Sequence, residues 1–273
     1  MHCAEWLICG FSAKGRKATF VFRSNPLAPS AARGIEERRP GGLGHQDGAV
    51  RSSAACFQLS PVGATELRIE GVRLSAGSAG ALAELLQVLS CGEESAALAF
   101  DHLGNSRHER PLGSALAGIA ADEREHQALL AGLGASLPQP RQDPSLEATM
   151  RRFFMRLADR DVLVHFVRIV AIDSAVCHIL GALRCRGKPL ASDDRVGSIL
   201  ERIHHDEARH VAIASRCAAP LLKSARGREI AADAREQLTH VLRLRAESLD
   251  SLLVDPDRLF LRLRANATAG KAI

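Results

Sequence analysis

Two octapeptides decide how this chain is read: Ile119-Ala120-Ala121-Asp122-Glu123-Arg124-Glu125-His126 and, further along, Ile203-His204-His205-Asp206-Glu207-Ala208-Arg209-His210. Each holds a glutamate and a histidine three residues apart. On a helix such a pair projects from one face, so both side chains can grip one ion. One such spacing is common by chance. Two in matching contexts, each with Asp just before the Glu and Ile four residues before it, form an internal repeat.

Both octapeptides lie in long segments whose apolar residues recur at alternating steps of three and four, the pattern of helices packed in a bundle. Four core stripes follow from that register. Leu82, Leu86, Leu89, Ala96, Phe100 and Leu103 are interrupted by Glu93. Leu112, Leu116, Ile119, Leu130 and Leu133 are interrupted by Glu123 and His126. The third stripe, Val162, Phe166, Ile169, Val176 and Leu180, contains Asp173, and the fourth, Val196, Leu200, Ile203, Ala214 and Cys217, contains Glu207 and His210. Every stripe is apolar except near its middle. A lone buried carboxylate costs several kcal/mol, so four converging on one core require neutralisation. Two divalent cations balance four carboxylates, and two neutral imidazoles complete the ligands without adding charge.

In these residues the chain resembles the ferritin-like di-iron carboxylate superfamily, whose bundle uses a Glu from each of two helices and Glu-x-x-His from each of the other two. The resemblance covers roughly residues 80–217. It implies an all-α, ferritin-like four-helix bundle in which Glu93 and Asp173 take the single-carboxylate positions. Glu123 with His126, and Glu207 with His210, take the paired ones. It implies two iron ions, with manganese compatible with the same ligands. Helix three offers Asp173 where the family usually has Glu, a shorter arm suited to terminal rather than bridging ligation. The D-E-x-R-H pattern of the oxygenase branch further implies that Asp122 and Asp206 hold the ligand imidazoles through their second nitrogens, each serving the opposite helix. Arg209 fits that pattern in the second repeat, where the first has Glu125. Glu94 competes with Glu93, but polar neighbours such as Ser90 and Cys91 place it on an exposed side. His204 or His205 could add an imidazole, and His165 and His178 read as ordinary partly buried histidines.

Outside the bundle the chain divides at changes of composition. Residues 1–77 are an amino-terminal extension, rich in Gly, Pro, Ser and Arg and expected to be largely disordered, with a short strand or hairpin near 57–75 where Glu66-Leu67-Arg68-Ile69-Glu70 alternates. Residues 78–254 form the bundle, and residues 255–273 a carboxy-terminal tail. Gly104-Asn105 ends the first helix. Asp143-Pro144 opens the third segment as N-cap and first-turn proline, with room for a break near Asp159 and Asp161 before Gly187-Lys188-Pro189. A fifth amphipathic stretch, about 227–253, covers the bundle.

The formal charge of +5 sits mainly in the first 75 residues, where ten Lys and Arg face six Asp and Glu. A bundle near balance lacks the clustered basic face that nucleic acid requires. No uninterrupted apolar run approaches the roughly 20 residues that span a bilayer. The seven cysteines never form C-x-x-C, so neither a disulfide framework nor a rubredoxin module is indicated, and a cytoplasmic protein with reduced thiols is expected. Absence of any Tyr excludes a tyrosyl radical in this chain. The resemblance thus implies an oxygen-dependent oxygenase or oxidase acting on a small organic substrate, a monomer or homodimer. Its partners are dioxygen or peroxide and an external electron donor, without nucleic acid or membrane. A rubrerythrin-like peroxidase, a di-manganese catalase and a ferritin-like iron-storage protein use nearly the same ligands.

Overall fold

The computed structural model describes residues 68–105 and 110–265. Among them the chain is all-α, with eight helices and no strand. These are α1 (Ala76–Asn105), α2 (Arg110–Gly134), α3 (Pro144–Leu157), α4 (Val162–Leu183), α5 (Asp194–Leu222), α6 (Ala225–Arg243), α7 (Ala246–Ser251) and α8 (Pro256–Ala265). The long helices pair as two hairpins, α1 with α2 and α4 with α5, and α2 packs on α5. Short connections between helices of this length favour such antiparallel neighbours. Against the other side of α4 lie α6 and α8, while α3 and α7 pack on α1.

Burial explains why α4 is apolar almost all round: it has α5 on one side and α6 and α8 on the other, so its sequence has no broad solvent stripe. By length and composition it is also the one described helix able to cross a bilayer, a property the sequence alone did not suggest because Arg168 and Asp173 interrupt its apolar residues. Most of it is buried inside the protein. The flanking helices α5 and α6 are amphipathic, with Val196, Leu200, Ile203 and Ala214 of α5 and Leu238, Val241 and Leu242 of α6 in one continuous core.

The break for which the sequence left room near Asp159 and Asp161 is there, dividing the third segment into α3 and α4: Asp161 caps a new helix by accepting from the Leu163 amide, and Arg168 reaches back to the carbonyls of Arg156, Leu157 and Ala158. Other boundaries differ from the sequence expectation. The covering stretch is likewise split: α6 ends at Arg243, and Arg245 turns inward to pair with Glu84 at 3.0 Å and to meet Gln87. What was expected to be a tail contains α8, whose Leu259, Phe260 and Leu263 are buried, with Arg243 over the Phe260 ring. The expected strand near 57–75 lies mostly outside the described residues, as does nearly all of the extension. Its described part, 68–75, is not a strand. Gly71 turns it at φ +84, and its polar groups go to helix ends, with the Ile69 amide donating to the Gly132 carbonyl and Ser136 Oγ to the Ile69 carbonyl. Cys91 is disulfide-bonded, against the expectation of reduced thiols throughout, whereas Cys177 and Cys185 are free.

One capping residue sets where α5 begins. Asp193, 5% exposed, accepts from the amides of Arg195 and Val196 at 3.0 Å through Oδ1 and from the Arg73 amide through Oδ2. Three otherwise orphaned donors are satisfied by one carboxylate. Asp193→Ala is therefore expected to lower stability by about 2 kcal/mol, while Asp193→Asn keeps most of the cap. Urea unfolding midpoints decide it, and an Ala variant as stable as the parent would show that α5 does not depend on this cap.

Candidate metal centre

Glu93 comes from α1, Glu123 and His126 from α2, Asp173 from α4, and Glu207 and His210 from α5. All six are buried, none more than 6% exposed. The stripes explain this: each residue occupies a core position of its helix, so packing the apolar residues on either side carries it inward. The tightest group is Glu93, Glu123, His126 and Glu207, whose ligand-capable atoms lie within 4.8 Å of one another and could hold a metal ion. Asp173 and His210 flank it. His210 Nδ1 is 2.9 Å from Glu123 Oε1, and Asp173 feels the charges of Glu207, Glu123 and Glu93.

The imidazoles have a common orientation. His126 Nδ1 faces Glu93 Oε2 at 3.2 Å, Glu123 Oε2 at 3.5 Å and Glu207 Oε1 at 3.6 Å. His210 Nδ1 faces Glu123 Oε1 at 2.9 Å and Glu207 Oε1 at 3.8 Å. Glu123 thus turns one oxygen to each ring, and the two rings lie 5.9 Å apart between centroids. Each Nε2 points the other way, toward an aspartate of the opposite helix: His126 to Asp206 and His210 to Asp122, both at 3.3 Å. Arg209 Nη2 donates to Asp122 Oδ2 at 2.9 Å and to Asp206 Oδ1 at 3.0 Å, locking the crossed pair from outside.

Several of these groups are short of partners. Both oxygens of Glu123, Asp173 Oδ2 and His210 Nδ1 are buried with no hydrogen bond. Such a deficit inside a folded core calls for an explanation, and a cation is the one that suits this donor set of carboxylates and imidazoles. Electrostatics agree. Burial pushes the Glu93 carboxyl up to about 8, against the pull of His126 and with the help of Glu123. Burial, then Glu207, Glu123 and Glu93, hold Asp173 well above the usual carboxylate range. Glu207 is raised by burial and by Glu93, partly offset by His126. Burial disfavours the cationic form of both histidines, but their carboxylate neighbours outweigh it and raise them.

Two cavities flank the cluster. One, about 390 Å³ and mostly apolar, lies between α1 and α4 and is closed by α3 and α6; Glu93, Glu123, Asp173 and Glu207 reach it, together with Phe100, Ile169 and Val176. The other is a polar cleft of about 570 Å³ bordered by Asp122, Asp206, Arg184, Arg202 and His204. His204 and His205 belong to this cleft: His204 Nδ1 lies 3.2 Å from Arg184 Nη1, and His205 is exposed. Glu94, expected on an exposed side, is fully buried, because α1 is covered by α2, α3 and α7 and has little free surface. Cys177 sits near Asp173 and Glu207, and burial pushes its thiol up to about 12, so it stays protonated. Sequence reasoning passed over the cavity role of His165, whose signal was its place on the same side of α4 as Ile169, Ile172 and Asp173. Comparisons with protein-family models, with curated proteins and with solved structures find no match to this chain.

Two outcomes follow from the geometry. In the metal-free protein, all five shifted groups hold a proton to higher pH folded than unfolded. Their contribution to stability is therefore complete below the unfolded values and lost on the way up; for Glu93 the loss runs from 4.5 to about 8. Below about pH 6.5 this loss is opposed by His165, His178 and His204, whose proton affinity burial lowers, so melting temperature without metal should fall from about pH 7 to about pH 9, and a rise across that window would contradict a protonated cluster. Removing an outer aspartate by Asp122→Asn or Asp206→Asn should weaken metal affinity about 10–100-fold, read by competition with a chromophoric chelator.

Proposed function

We propose that this chain is a di-iron carboxylate oxidoreductase, an oxygen-dependent oxygenase or oxidase acting on a small organic molecule. The observation that carries the reading is the contact between the buried carboxylate and imidazole cluster and an apolar cavity of about 390 Å³. Glu93, Glu123, His126 and Glu207, with Asp173 and His210 beside them, would hold the metal. Two iron ions held there would supply the redox chemistry by which dioxygen oxidises an organic substrate.

The protein's share of that chemistry is positional. With metal bound, Asp206 and Asp122 would accept the Nε2–H of His126 and His210, leaving each Nδ1 lone pair facing inward and fixing the ring. Arg209 holds both aspartates in place and helps to keep Asp206 ionised. Phe100, Ile169, Ile172 and Val176 line the cavity with side chains that have nothing to offer water, so a substrate there would meet the cluster in a dry environment. The same cavity favours an organic substrate over iron storage, which has no use for an apolar chamber at its oxidation site. Electrons would come from a separate donor protein, since the chain has no C-x-x-C iron module. As a monomer or homodimer it would act without nucleic acid or membrane.

Anaerobic iron loading followed by exposure to oxygen tests this. About two irons per chain are expected, with a transient oxygen-dependent absorption band. Glu123→Ala and Glu207→Ala should each lose metal while circular dichroism shows helix content largely kept, because the truncation also removes a buried charge. Manganese uptake with peroxide disproportionation would instead favour the catalase, and elution at hundreds of kilodaltons the storage shell. A protein that takes up no metal at all would end the proposal.

A further inference from the structure

His165 is 3% exposed, its Nδ1 is buried without a hydrogen-bond partner, and it is among the residues that line the apolar cavity. It lies eight residues before Asp173 on α4, about 12 Å along the helix axis from the carboxylates. Leu98 and Met155, both exposed, also border the cavity and mark its mouth. The chamber therefore has a carboxyl-lined inner end, an apolar middle and one buried polar anchor, with half-buried Ser95 and exposed His102 also on its wall.

That anchor is uncharged at neutral pH. Burial pushes His165 down to about 4, with His102 and Arg168 acting in the same direction and Asp159 against them. Arg168 is already committed to Asp159 at 3.0 Å and to the carbonyls ending α3, so it offers no spare cation to a buried anion. A neutral imidazole nitrogen in an apolar wall is completed by a neutral hydrogen-bonding group, since a carboxylate there would keep its full desolvation cost.

We infer that the cavity binds an uncharged, predominantly apolar organic molecule whose one terminal hydrogen-bonding group, such as a hydroxyl, pairs with His165 while its apolar body extends toward Glu93 and Asp173. That this molecule is a substrate rests on the metal-centre reading; that it binds does not. His165 is in this view a specificity-determining residue, remote from the reacting atoms.

Calorimetric titration of the full chain, metal-free and metal-loaded, with 4-ethylphenol, ethylbenzene and 4-ethylbenzoate tests the inference. The phenol should bind roughly two- to ten-fold more tightly than ethylbenzene, the gain of one hydrogen bond, and the benzoate most weakly. His165→Leu should erase the difference between phenol and hydrocarbon while keeping hydrocarbon binding, which also reports a folded cavity. Ala96→Phe, which fills the chamber, should abolish both. The inference is overturned if neither neutral probe binds the parent protein, if the benzoate binds best, or if His165→Leu leaves the preference intact. Probe binding by a chain that takes no metal would retain this site and remove only the metal reading.

Discussion

Four carboxylates in the middle of an oily helical core cannot all be ionised without cations, and among the described residues the protein supplies no fixed cation beside them. Arg209, behind the two histidines, is half exposed and already shared between Asp122 and Asp206. The remaining ways to neutralise the core are to protonate the carboxylates, to charge His126 and His210, or to bring in metal. The raised proton affinities of Glu93, Asp173 and Glu207 describe the first of these. A site that must hold protons it does not need is one that a cation can enter by exchange, releasing them.

The pairing of helices serves this constraint. Packing α1 on α2 and α4 on α5 brings a single carboxylate of one helix against the Glu-x-x-His of its partner, so each hairpin carries half of the buried carboxylate and imidazole groups. The halves meet where α2 packs on α5, and there the contacts cross: His126 of one is held by Asp206 of the other, and His210 by Asp122. Neither hairpin could orient its own histidine alone. The internal repeat of the sequence is therefore a structural device as well, because two like helices laid face to face exchange the same contact twice.

Legibility in the sequence followed the physics of each feature. The carboxylates were readable because helical period is a local property, and an acid inside an apolar stripe is visible without knowing what faces it. Asp122 and Asp206 were readable through their place before each glutamate, since a ligating histidine needs a partner on its other nitrogen. Other features depend on what packs against what. Glu94 was misplaced on an exposed side because its own helix does not reveal that α3 and α7 cover that side. The alternating run at 66–74 resembles a strand locally, but no neighbouring strand exists among the described residues to pair with it, and its backbone groups go to the ends of α2 and α5 instead. The split between α3 and α4 was half visible, in Asp159 and Asp161, while the carbonyls that Arg168 collects from the end of α3 were not.

The two sides of the cluster differ, and the difference says more about use than the ligands do. On the imidazole side, each Nε2 meets an aspartate, and Asp122 and Asp206 in turn border a polar cleft. On the other side, Glu93 and Asp173 look into a chamber walled by Phe100, Ile169 and Val176. A protein that only stored or buffered metal would gain from polar access on both sides. Here an apolar volume adjoins the carboxylates in a core where close packing is the rule, and keeping it open forfeits contacts that larger side chains at Ala96 and Ala99 could have made. Sequence positions that leave such a volume unfilled beside the most polar group in the core are best accounted for by a molecule that belongs in it.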